Sequence, residues 1–232
     1  GTVGSTRGSQ PETCRDCKER IGPSDLQKFL VPSGFCVDFF EAPHNRMDEQ
    51  TFIPVKPPWV QVNAAWKALL SPVPLRFRAS TEGKLIQLSM GQHDWGYALC
   101  LACGRAEPMT EPGVMPPVFT RPHTRLRGGR KSNVCPAGVG DFRIQLEIAL
   151  GFEWLTDVVE IEFFRFAKDG ALQKPLLDPV AVSTLAVALR DATAQILGVD
   201  TMELGCFQRS FSDAHGKHVT AVLYDRQASG YV

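Results

Sequence analysis

Hydrophobic and polar positions alternate most clearly between Val158 and Phe166. Val159, Ile161 and Phe163 fall on one side, Glu160 and Glu162 on the other, the period-two pattern of a half-buried strand. Downstream, Asp178-Pro179 opens a helix, with Asp as N-cap and Pro in the first turn. The helix runs to about Leu197 and stops at Gly198, a residue suited to a left-handed cap. Val182, Leu185, Leu189 and Ile196, on an Ala-rich face, are expected to lie against a sheet. Asp200 with Glu203 resembles a capping box opening a shorter helix. Two strands, near 206–212 and 218–225, close the chain around the polar turn Asp213-Ala214-His215-Gly216.

The first half is less periodic. Residues 1–13 read as a lead-in, and Val31 to Phe39 as a turn feeding a strand. The Pro-rich stretch 41–58 reads as a connecting loop, and 59–70, around Trp59 and Trp66, as a short strand or helix. Short strands are expected over 75–79 and 84–90. From 107 to 140, prolines at 108, 112, 116, 117, 122 and 136 combine with glycines at 113, 128, 129, 138 and 140. Such punctuation argues against regular structure and for a long loop or a joint. The expected class is therefore α+β, a mixed, mostly antiparallel sheet with a few helices. It divides into a zinc-knuckle half (1–106), a Pro/Gly-rich basic joint (107–140) and a strand-helix-hairpin half (141–232).

Composition changes this picture only at its edges. With 44% hydrophobic and 22% charged residues, a packed core is expected rather than a disordered chain. The formal net charge of +0 gives no argument for a nucleic-acid partner, so any such argument must come from local patches. No apolar run suggests a bilayer span, and the small, polar first residues resemble no secretory leader. The absence of an initiator Met suggests a processed or excised piece of something longer. Seven cysteines, an odd count, fit a disulfide scaffold poorly and a reducing, cytoplasmic setting with metal-bound thiolates better.

Four of those cysteines form two C-x-x-C knuckles, Cys14/Cys17 and Cys100/Cys103. Each offers two thiolates from one tight turn, and two knuckles complete a tetrahedral zinc site. Gly104 follows the second knuckle, where the chain bends sharply and needs positive φ. The wide gap between the knuckles leaves disulfides, free thiols or another ligand set open. Cys135 is the leading substitute, with His93 behind it. Cys36 and Cys206 stand in apolar strands and read as small core residues.

Several stretches resemble one family. Leu150-Gly151-Phe152-Glu153-Trp154-Leu155-Thr156-Asp157-Val158, the helix end Ile196-Leu197-Gly198-Val199-Asp200 with Glu203-Leu204-Gly205, and Val222-Leu223-Tyr224-Asp225 look like the MrfA-type zinc-binding domain. Gly34 to Asp38-Phe39 and Cys100 to Arg105 look like its upstream portion. That domain sits at the C-terminal end of superfamily-two DNA helicases and in the DrmB component of the DISARM anti-phage system. The resemblance implies a non-catalytic, zinc-stabilised role beside a helicase or ATPase subunit, gripping DNA or holding a partner in antiviral defence or DNA repair. The family continues Tyr-Asp into a Pro-Gly-Gly-rich turn and places its commonest zinc cysteines beyond it. Here Arg226 to Val232 follows instead, so the metal site expected in this chain lies upstream.

No G-x-x-x-x-G-K-[ST] loop is present, so an ATPase within this segment is excluded, and no enzyme activity is expected. The best nucleic-acid feature is Arg121, Arg125, Arg127, Arg130 and Lys131, with His123 among them and no acid between Glu111 and Asp141. Such a cluster can contact several phosphates in a salt-dependent way. Asp157 and Asp225, at strand ends, are the carboxylates a metal-dependent nuclease would use; capping and turn hydrogen bonding is the favoured account of them. The leading expectation is a DNA-binding accessory domain, followed by a protein scaffold for the motor subunit.

Overall fold

The computed structural model describes residues 13, 20–22, 26–34, 56–69, 73–129, 132–166, 172–213 and 216–226. Its strands are β1 (Phe29–Leu30), β2 (Trp59–Gln61), β3 (Lys67–Leu69), β4 (Leu75–Ser89), β5 (Tyr97–Cys100), β6 (Ala106–Pro108), β7 (His123–Gly129), β8 (Ser132–Cys135), β9 (Ile144–Phe166), β10 (Leu172–Pro175), β11 (Leu204–Asp213) and β12 (Gly216–Asp225). A single described α-helix, α1, spans Pro179–Leu197. The chain is thus α+β with a mostly antiparallel sheet. It forms two compact units: a helix-bearing unit of Gly1–Pro23, Trp59–Ile86 and Glu153–Val232, and a knuckle unit of Ser24–Pro58 and Gln87–Phe152.

In the helix-bearing unit the strand order is β11-β12-β9-β4-β2, with β3 added to β4 and β10 to β9. The hairpin β11–β12 pairs in unbroken register from Leu204↔Asp225 to Asp213↔Gly216. The alternation read along Val158–Phe166 is present, but β9 extends it to 23 residues. The separate strands expected over 75–79 and 84–90 are one strand, β4.

Helix α1 begins and ends as its sequence implies. The Asp178 carboxylate accepts from the Val180 and Ala181 N–H groups, and Gly198 adopts φ 70°. Its buried residues are Val182, Ala186 and Ala194; Val182 and Ala186 pack with Phe163, Val219 and Ala221, Leu189 and Cys206 joining from the side. Leu185 and Ile196, expected against the sheet, are exposed, Ile196 at 84%. By length and composition alone α1 is apolar enough to cross a bilayer, a feature that a helix packed on a sheet through Val182 and Ala186 shares. The capping box at Asp200 also behaves differently. Met202 N–H donates to Asp200 Oδ1 and Asp200 N–H to Glu203 Oε1, but they close a single turn and β11 starts at Leu204.

Glu160 and Glu162 are expected on the solvated face of β9. Both are fully buried. Arg78 pairs with Glu160 Oε2 at 2.6 Å and Arg209 with Oε1 at 3.3 Å, while Thr220 donates to Oε1 at 2.8 Å. Arg76 pairs with Glu162, whose other oxygen meets His218 Nδ1 at 2.8 Å. Trp66 covers the two guanidinium groups, 4.6 Å from Arg76 and 4.7 Å from Arg78. A carboxylate is buried only with such partners, and these come from β4, β11 and β12, far away in sequence.

In the knuckle unit, β5 pairs antiparallel with β6 and with the first part of β9, and β1 pairs parallel with β9. The 107–140 segment is more regular than its prolines and glycines suggest. It holds a 3-10 turn at Pro117–Phe119 and the hairpin β7–β8. The core of this unit is small: Ala98, Met109, Phe119, Ala137 and Ile144 gather around Cys100 and Cys135.

Candidate metal centre

Two hairpins deliver the donors. Cys100 is the last residue of β5, and the chain turns through Cys103 before β6. The turn is closed by Gly104 N–H donating to the Cys100 carbonyl and Cys100 N–H donating to the Arg105 carbonyl, both within 2.9 Å. Gly104 takes φ 79°, as the sequence pattern required. The second hairpin is β7–β8, whose register places His123 directly opposite Cys135. The four donor atoms of Cys100, Cys103, His123 and Cys135 all lie within 4.8 Å of one another.

The spacing fits a tetrahedral metal. Zn–S bonds of ~2.3 Å put two sulfurs of a tetrahedron about 3.8 Å apart. The Cys100 and Cys135 Sγ atoms are separated by 3.8 Å, and Cys103 Sγ lies 3.2 Å from His123 Nε2. His123 Nδ1 sits 3.0 Å from the Ala137 carbonyl oxygen. A carbonyl only accepts, so Nδ1 carries the proton and Nε2 presents its lone pair to the sulfurs, the usual outer-shell arrangement of a metal-binding imidazole. Phe119 stands edge-on to the ring at 4.8 Å and fixes its plane.

Electrostatics prepare the thiols unequally. Burial, reinforced by the Cys100 thiol, pushes the Cys103 thiol up to about 11 against the pull of the Arg105 backbone N–H. At Cys135 burial also opposes ionisation, but hydrogen bonds from the Ala137 backbone and the Cys100 and Cys103 thiols, with the charge of Arg125, hold the thiol below its ordinary value. A thiolate must form before it ligates metal, and Cys135 is readier to supply one than Cys103.

Of the residues expected to bind metal, Cys100 and Cys103 come together, and the substitute ligand Cys135 joins them. Cys14 and Cys17, like Cys36, lie outside the described residues. His93 is exposed and stands outside the donor group; His123 takes the position for which His93 was considered. In the sequence His123 reads as part of a basic cluster. The signal that marks it is its place in the β7–β8 hairpin register, opposite Cys135. Arg121 and Arg125, on either side of His123, are exposed. Arg127 belongs to β7, its side chain undescribed, and Arg130 and Lys131 lie outside the described residues. Arg105 reaches the same hairpin, donating to the Thr124 carbonyl at 3.1 Å while it pairs with Glu107 at 2.7 Å.

Asp157 and Asp225 are neighbours. Burial first, and the charge of Asp225 second, raise the Asp157 carboxyl above its ordinary value. Among the described residues they join no third donor.

No family model matches this chain, and no curated protein does. A solved structure, the crystal structure of the DUF1998 helicase MrfA bound to DNA, aligns with it at TM-score 0.29 and 10% identity. The alignment covers 75% of this chain and 18% of that one, so the chain spans under a fifth of the helicase's length.

Proposed function

We propose that this chain is a zinc-stabilised, non-catalytic module of a DNA-handling protein, with the metal held by Cys100, Cys103, His123 and Cys135. The observation that carries this reading is the convergence of three thiols and one imidazole within 4.8 Å. Four protein donors close a tetrahedral zinc shell and leave no position for water or substrate, which is the pattern of structural rather than catalytic zinc. Zinc bound here ties hairpin β5–β6 to hairpin β7–β8. It takes over the work that a larger apolar core would otherwise do in a unit of this size.

The DNA part of the proposal rests on the exposed Arg121 and Arg125 flanking His123, and on the motifs that resemble the MrfA-type domain of helicase-associated repair and anti-phage proteins. Metal in the cluster would fix these arginines on a rigid hairpin. Binding to duplex and single-stranded DNA across a salt series is the test. Changing Arg121 and Arg125 together to Ala should weaken binding on every sequence and flatten the logarithmic salt dependence by roughly one per lost phosphate contact. Unchanged affinity and slope in the double variant would remove DNA from the proposal.

One observation favours a second reading, a scaffold that docks a motor subunit. The two ends of α1 expose large apolar side chains, Val180 at 74% in the first turn and Ile196 at 84% in the last, which a partner subunit could cover. Under that reading the chain binds its partner without being retained on DNA.

A further inference from the structure

The guanidinium groups that cover Glu160 do more than neutralise it. Segment 60–64 crosses the same face of the helix-bearing unit and leaves a cavity of about 230 Å³, lined by Gln61, Asn63, Arg78 and Arg209 among others. Arg78 spends Nε and Nη2 on Glu160, and Arg209 spends Nη1. Each guanidinium has five N–H donors, so donors remain on both, and the cavity is where they can be used. Gln61 Nε2 donates to Asn63 Oδ1 at 3.3 Å, a bond that uses the oxygen of the Asn63 amide and none of its N–H groups.

Charge points the same way. Among the described residues, three guanidinium groups, Arg76, Arg78 and Arg209, pair with two carboxylates, Glu160 and Glu162, an excess of one positive charge in the cluster. His218, against Glu162, adds no negative charge to offset it. The arginine side chains are mostly buried, Arg78 at 17% and Arg209 at 15% exposure. An uncompensated charge at that depth is costly and is relieved by an anion with several oxygens, which two planar forks recognise well.

We infer that Arg78 and Arg209, with the amides of Gln61 and Asn63, form an oxyanion site that takes a phosphate group. The two sources of that group are free phosphate and the backbone of a nucleic-acid strand. The site does not involve the cysteine cluster and stands whether or not the metal reading does.

Calorimetric titration of the full chain separates the outcomes, with inorganic phosphate and a single-stranded oligodeoxynucleotide as probes. Arg209→Gln tests the donors directly but also strips a partner from Glu160. Asn63→Asp keeps the buried network intact and sets a carboxylate on the exposed rim. Each should weaken phosphate binding about tenfold or more, the worth of a charge-assisted contact, while Asn63→Asp leaves zinc content unchanged and does not lower the thermal midpoint. A parallel loss of oligonucleotide binding in Asn63→Asp assigns the site to nucleic-acid backbone; loss confined to phosphate assigns it to the free anion. Absence of binding by both probes, or an Asn63→Asp protein that binds them as the unaltered chain does, overturns the inference.

Discussion

Asp157 and Asp225 show how much a single position can reveal. Burial and the neighbouring carboxylate raise the Asp157 carboxyl, so folding favours its neutral form. A raised acid is at ease in the fold below its ordinary value near 4 and costs stability as pH climbs above it. Asp157→Asn should therefore raise the melting midpoint at neutral pH, with the gain vanishing near pH ~3, where both proteins carry a neutral side chain. A lower midpoint at neutral pH would mean that the Asp157 charge is needed by a group that stabilises it. Glu160 makes the opposite case. Glu160→Ala removes the partner of Arg78, Arg209 and Thr220 and should cost about 3–5 kcal/mol in denaturant unfolding, the usual toll of breaking a buried pair from one side.

Elements that the sequence makes legible are those whose signals are local. The Asp178 cap, the Gly198 stop and the β11–β12 hairpin each depend on residues a few positions apart, and all stand as read. What escapes depends on distant partners. The burial of Glu160 and Glu162 needs arginines from β4 and β11. The length of β9 needs different neighbours along its course, β5 and β1 near its start and β12 and β10 near its end. Most of the metal cluster is legible for a similar reason: Cys100 and Cys103 share a turn and Cys135 stands out as the substitute thiol, whereas His123 joins only through hairpin register opposite Cys135. Gly151 belongs to this class as well. A Cβ there would come within 2.5 Å of the Gln87 carbonyl oxygen, a close approach that β9 tolerates only with glycine. Gly151→Ala should destabilise by roughly 1–3 kcal/mol; a neutral effect in thermal unfolding would show that the backbone yields more easily than this packing implies.

At the scale of the molecule, the two units have different sources of stability. The helix-bearing unit has α1 on one face of its sheet and, on the other, the apolar cluster of Val60, Leu85, Val158 and Val222 together with the Glu–Arg network. The knuckle unit has a handful of apolar side chains set around four metal-type donors. Where ligation and folding are linked, removing metal removes folding free energy. A strong chelator should therefore speed amide hydrogen exchange in β5–β8 while β11, β12 and α1 keep their protection, since units open separately when their contacts differ. Equal loss of protection in both units would tie the metal to the whole chain.

The central claim, that Cys100, Cys103, His123 and Cys135 hold one structural zinc, is tested most directly by elemental analysis of the purified chain. The unaltered protein should carry about one zinc per chain, Cys135→Ser and His123→Ala well under half of that, and the Cys14→Ser/Cys17→Ser double variant about one. Less than ~0.5 zinc in the unaltered chain, or full zinc in Cys135→Ser and none in the Cys14→Ser/Cys17→Ser variant, would contradict it.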